Sequence, residues 1–95
     1  MPDPAVWTVP ERLEIASIRE VLAQARRAIA ARQLTFDFTG VRHVDSSALA
    51  FILTCQREAG RQGVRLVCSH LPANLHSLAR LYGVEAFLDG KGFPA

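Results

Sequence analysis

Apolar residues recur along this chain with two periods. Residues 34–39 alternate, with Leu34, Phe36 and Phe38 pointing one way and Thr35, Asp37 and Thr39 the other, which is the period of a strand. Residues 46–62 follow the helical period instead. At about 100° per residue, Ala48, Leu49, Ile52, Cys55 and Ala59 gather on one side, with Leu53 at its border. Ser47, Ala50, Thr54, Arg57 and Arg61 fall on the far side, and Phe51 lies at the edge between the two. Asp45-Ser46-Ser47 therefore sits where a strand hands over, through a turn begun by Gly40, to a helix N-terminus. Backbone N–H groups are unpaired there and the helix dipole favours negative charge.

The remaining pattern predicts the other elements. Residues 5–9 are β-prone and stop at Pro10, which predicts a short edge strand. Residues 11–16 alternate charged and apolar side chains and read as the second strand of a hairpin. Ser17 and Glu20 form a capping-box signature, and Ile18, Val21, Leu22, Ala25 and Ile29 make one helical stripe, so a helix is expected to run to about Arg32. Gly63 is placed to end the second helix, residues 64–68 read as the next strand, and Pro72 opens a third helix. That helix carries Leu75, Leu78, Ala79, Leu81 and Tyr82 as its apolar face and stops at Gly83. Residues 86–88 suit either a last short strand or a packed tail. Strands alternating with helices of this length predict an α/β fold with a mainly parallel sheet and helices packed on it, the strands on either side of the second helix being joined by a right-handed crossover.

Composition narrows the class of function. Ninety-five residues are expected to make one domain, residues 1–95, that buries roughly two-thirds of its unfolded surface. A net charge of +2, with basic residues scattered apart from Arg26-Arg27, is too weak a balance to argue for nucleic acid. Cys55 and Cys68 show no CxxC spacing and read as small core residues in a reducing compartment. Residues 1–30 carry Asp3, Glu11 and Glu14 without a continuous apolar run, so no signal peptide is expected. No stretch has the length of a membrane span, and a cytoplasmic protein, held at a membrane only through a partner, is the expectation.

Enzyme chemistry finds little to build on. Ser46 or Ser47 at a strand-to-helix turn lacks the Gly-x-Ser-x-Gly pattern of a nucleophile elbow, its neighbours being Val44 and Ala48. His43, His70 and His76 show neither ligand spacing nor a preferred base, and no phosphate-loop pattern occurs. No catalytic, metal or cofactor site is predicted. Two readings of Asp45-Ser46-Ser47 remain. Asp45 or Ser46 caps the helix, worth about 1 kcal/mol. Alternatively, the small exposed groups of Ser46, Ser47 and Ala50 let a partner approach or Ser46 be phosphorylated, with Arg57 and Arg61 further down the same flank and Phe51 as an apolar contact.

The stretch Phe36-Asp37-Phe38-Thr39-Gly40-Val41, followed by Val44-Asp45-Ser46-Ser47-Ala48-Leu49, resembles the core motif of STAS domains. The resemblance continues through Gly63-Val64-Arg65-Leu66-Val67 and Leu78-Ala79-Arg80-Leu81-Tyr82-Gly83-Val84 and covers about residues 34–88. It implies a non-catalytic interaction module. The 78–84 segment is most similar to the small STAS subunits of Mla-type phospholipid transport systems, which implies an ABC ATPase, with its permease, as partner. The alternative within the family is an anti-sigma factor antagonist whose partner is a kinase-type anti-sigma factor that phosphorylates the hydroxyl after the Asp, here Ser46. The resemblance maps the family's hydroxyl to Ser46 and implies a partner face at the start of the second helix and on parts of the third. Taken with the helix-flank reading, the expected partner-binding or phosphorylatable residues are Asp45, Ser46, Ser47, Ala50, Phe51, Thr54, Arg57 and Tyr82. Two departures stand out: Ala48 replaces the family's usual Gly, bringing bulk to the first turn, and the N-terminal segment lacks the usual Gly-Glu/Asp-Leu-Asp signature.

Overall fold

A computed structural model describes residues 5–89 of the chain. Its strands are β1 (Val6–Thr8), β2 (Arg12–Leu13), β3 (Thr35–Asp37), β4 (His43–Val44) and β5 (Val67–Ser69). Its helices are α1 (Ile18–Ala30), α2 (Ser46–Arg61) and α3 (Ala73–Leu81), followed by a 3₁₀ segment, Glu85–Asp89. This is an α/β fold in which every strand pairing among the described residues is parallel.

The main sheet has the order β1-β3-β5, so the alternating segment around Phe36 is the central strand. Trp7, Phe36 and Cys68 are register partners on the face that meets the helices, and the Trp7 ring meets Phe36 edge-on at 4.7 Å between centroids. Phe36 and Phe38 are fully buried, as their period-two spacing requires. The opposite face carries Val6, Thr35 and Val67 in one row and Thr8, Asp37 and Ser69 in the next. β3 and β5 are parallel neighbours joined through α2, which packs against both α1 and α3.

The predicted N-terminal hairpin does not form. β1 pairs with β3, whereas β2 is two residues long and pairs in parallel with β4, a short strand inside the segment read as a turn. Only Leu13 of the alternating segment is buried; Ile15, which the strand reading would have put on the same face, is 77% exposed. Residues 14–17 turn into α1 instead, with Ser17 N–H donating to the Glu14 carbonyl. The capping box is also absent. The Ser17 hydroxyl makes no cap bond; its one proton is shared between the carbonyls of Arg12 and Glu14 and its oxygen accepts from Glu14 N–H, which ties this turn together. Of the two alternatives for residues 86–88, the packed tail is the one observed: they form part of the 3₁₀ segment, pinned by buried Leu88.

Three helix ends share one geometry. After α2, Gly63 N–H donates to the Gly60 carbonyl and Val64 N–H to that of Ala59; after α3, Gly83 and Val84 do the same to Arg80 and Ala79. Gly63 and Gly83 both take a φ of +72°, the left-handed conformation this motif needs. After α1 the same position falls to Arg32, at φ +61° without glycine. A Cβ at Gly63 would touch nothing within 4 Å, so Gly63→Ala isolates the backbone term. It is expected to cost about 1 kcal/mol in urea unfolding; an unchanged midpoint would show that residue 63 does not need the left-handed region.

Candidate functional site

The N-terminus of α2 is held by one carboxylate. Asp45, in extended conformation, is the N-cap: its Oδ1 accepts from Ser47 N–H at 2.9 Å and from the Ser47 hydroxyl. Its Oδ2 accepts from Ile15 N–H at 2.9 Å, thirty positions away in the chain. Asp45 N–H donates to the Leu13 carbonyl at 3.3 Å, so both its backbone and its side chain join the end of β2 to the start of α2. The Ser47 hydroxyl and the Ile15 N–H, with Ser47 N–H adding to them against a smaller effect of burial, hold the carboxyl below its ordinary range. It is ionised at neutral pH, as an N-cap should be.

The two serines have different roles. Ser47 spends its hydroxyl on Asp45. Ser46, the first residue of α2, is exposed, and its hydroxyl has no partner among the described residues. Capping therefore falls to Asp45 alone, and the Ser46 hydroxyl faces solvent. Ala48 is fully buried, so the methyl that departs from the family's glycine enters the core and adds no bulk to the outer surface.

From Ser46 an outward stripe runs down α2. Ser46, Ala50, Leu53 and Arg57 fall within about 60° of arc, with Thr54 and Ser47 at its border. Ser46, Ala50 and Arg57 are exposed, and Leu53 and Thr54 half-buried. Phe51 does not belong to it. At 2% exposure it is a core side chain, so the expectation of an apolar partner contact there is corrected. The buried arc of α2 is wider than the sequence stripe because the helix packs against α1, α3 and the C-terminal 3₁₀ segment. That arc also takes in Gln56, whose Nε2 donates to the Leu88 carbonyl at 3.2 Å.

At its lower end the stripe meets an open groove of about 270 Å³, lined by Leu53, Arg57, Val84 and Phe87. Tyr82, read as part of the apolar face of α3, lies just past the end of that helix and is 58% exposed. Leu81, assigned to the core face of α3, is 77% exposed, since its helical angle lies about 120° from that of Leu75. Arg61 pairs with Glu58 at 3.6 Å, whereas no ion pair forms at Arg57 among the described residues. Two parts of this surface escaped the sequence pattern: Ile15, which read as a strand residue, and the Val84–Phe87 wall, which had no periodicity.

The other chemistry-bearing groups stay apart. His43 lies 3.7 Å from Glu11, His70 3.2 Å from Asp37, and His76 4.0 Å from Glu85, in three separate places. No group of three metal-ligating side chains occurs among the described residues, and no histidine there is hydrogen-bonded to Ser46 or Ser47. Asp37 accepts from Thr39 through both hydroxyl and N–H, which with His70 lowers its pKa. Burial pushes the Cys55 thiol up to about 12, so it is an inert core group, and Cys68 is half-buried with no disulfide. No helix among the described residues is long and apolar enough to cross a membrane.

A search among curated proteins found no match. The family model described as "Mlab, STAS domain" matches residues 2–89, nearly the whole chain and all of the Asp45–Ser46 site, and on that match the chain belongs to the STAS domain family, in its MlaB-like branch.

Proposed function

We propose that this chain is a non-catalytic STAS subunit that binds the cytoplasmic ABC ATPase of an Mla-type phospholipid transport system, the machinery that maintains outer-membrane lipid asymmetry. The MlaB-like family match supports this reading. The observation that carries it is Ser46, an exposed hydroxyl without a partner among the described residues, on a helix start that Asp45 fixes in place. Around it Ala50 and Thr54 are small enough for a second protein surface to come close. The subunit stabilises the ATPase by binding its competent fold or dimer preferentially; at a free concentration of 100 times Kd such binding contributes about 2.7 kcal/mol. It sits at the inner face of the inner membrane through that partner.

The test is Ser46→Glu. A carboxylate in the first turn of α2 suits the helix dipole, so the variant folds. In the complex it puts a second charge beside Asp45 and bulk into the contact. Calorimetric titration of the purified chain into the cognate ATPase is expected to show binding weakened at least tenfold, about 1.4 kcal/mol. A variant that binds within threefold of the wild type would remove Ser46 from the interface, and a wild-type chain that does not bind the ATPase at all would sink the reading. The same exposed hydroxyl suits a second reading, an anti-sigma factor antagonist switched at Ser46. Phosphate found on Ser46 in cells, together with binding to a kinase-type anti-sigma factor, would select it.

A further inference from the structure

We infer that the groove between α2 and the C-terminal 3₁₀ segment receives one large apolar side chain of an acidic partner helix, whose neighbouring carboxylate pairs with Arg57. This rests on the docking reading above and names the kind of partner segment that reading requires. The walls are apolar, from Leu53, Val84 and Phe87, and Arg57 is the one charged residue among those that line the groove. Arg57 is exposed and forms no ion pair among the described residues, while Arg61, one turn on, already has Glu58. The groove therefore offers an unspent cation beside an apolar socket. Its volume, about 270 Å³, lies at the lower edge of the roughly 300–1,000 Å³ range of small-molecule sites, and it is an open groove, whereas such sites enclose most of their ligand. It fits an inserted side chain better than a whole ligand.

Two hydrogen bonds fasten the wall. Gln56, adjacent to Arg57, is 93% buried and holds the Leu88 carbonyl at 3.2 Å, while Phe87 N–H donates to Val84 at 3.0 Å. The groove also continues the stripe Ser46–Ala50–Leu53–Arg57, about 16 Å along the axis of α2. A partner helix laid along it crosses the small residues near Ser46, where backbones can approach, and reaches Arg57 two to three turns later. Its apolar anchor enters the socket, as interface anchors do, and a carboxylate on the same face, three or four residues away, meets the guanidinium.

Photo-crosslinking in the native bacterium tests this with the full chain. A benzophenone amino acid replaces Gly60, which is exposed, lies one turn from Arg57 and has open space around an added Cβ. Parallel probes stand at Ser46 and, as a control, at Thr8 on the open sheet face. The expected product at position 60 is a helical ATPase peptide holding an Asp or Glu three or four residues from a Leu, Phe, Met or Trp. The same kind of peptide from another protein would support the groove and sink the ATPase reading. A product at Ser46 but none at 60, or a peptide at 60 without a carboxylate, would overturn the groove inference and leave the ATPase reading standing. No product at either position would overturn both. On the captured partner, Arg57→Glu is expected to weaken binding at least tenfold, with recovery when the partner carboxylate is changed to Arg. Arg61→Glu is expected to stay within threefold; equal losses at both positions would reduce Arg57 to general charge and overturn the socket.

Discussion

Phe51→Ala is expected to cost about 3–5 kcal/mol, the usual range for deleting a buried phenyl ring. Phe51 is 2% exposed and belongs, with Ile52 and Cys55 of the same helix, to the hydrophobic core. Domains of this size hold roughly 5–15 kcal/mol in total, so the variant loses a large share of its stability. At about 4 °C or more per kcal/mol, the melting temperature followed by circular dichroism should fall by at least about 12 °C. The consequence reaches the function. Loss of binding in this variant would report unfolding, while Ser46→Glu and Arg57→Glu change exposed side chains and report contact. A fall of less than about 4 °C would return Phe51 to the surface and restore it as an interface anchor.

The elements that rest on long periodic segments were legible in the sequence. α1, α2 and α3 stand within two residues of the expected bounds, and Phe36 and Phe38 go inward as the alternation of β3 required. What failed was short. A two-residue strand such as β2 has no period to read, and the alternation of residues 11–16 arises in a segment that only touches β4 before turning into α1. Ser17 and Glu20 carry a capping signature, yet the turn into α1 brings the carbonyls of Arg12 and Glu14 to the Ser17 hydroxyl, whose proton is shared between them. Phe51 was ambiguous because a helix covered by two other helices and a 3₁₀ segment buries more than one stripe, and the sequence of α2 alone does not say what covers it.

The site divides along the same line. Asp45 as a cap is a local signal, spaced two residues from the N–H it satisfies, and it is readable. Its second bond, to Ile15, spans thirty positions and has no local trace. The groove is likewise tertiary: Leu53 and Arg57 come from one helix, while Val84 and Phe87 follow another. Sequence spacing therefore found the exposed positions Ser46, Ala50 and Arg57 of the stripe and missed the apolar wall of Val84 and Phe87 at its foot.

The double duty of Asp45 sets the last expectation. Asp45→Ala removes the cap on Ser47 N–H, worth about 1 kcal/mol, and the charged acceptor for Ile15 N–H, worth about 1.5 kcal/mol at the low end because the contact is exposed. A loss of about 2–3 kcal/mol in urea unfolding at pH 7 follows. Asp45→Asn, which keeps a capping oxygen but not the charge, should lose about half as much. The pH dependence separates this from a generic defect. Because folding lowers the carboxyl's pKa below its ordinary 3.8, the unfolded chain takes up the proton first as the solution is acidified. Its contribution is complete well above pH 3.8, and fades as pH falls through that value toward the folded pKa. The stability gap between wild type and Asp45→Ala should thus be widest near neutrality and narrow below about pH 4. Asp37, lowered by Thr39, adds the same acid sensitivity to both proteins and cancels in the comparison. A gap that stays constant from pH 7 to pH 3 would mean that the ionised carboxylate is not what fastens β2 to α2. The fixed platform under Ser46 would then need another cause.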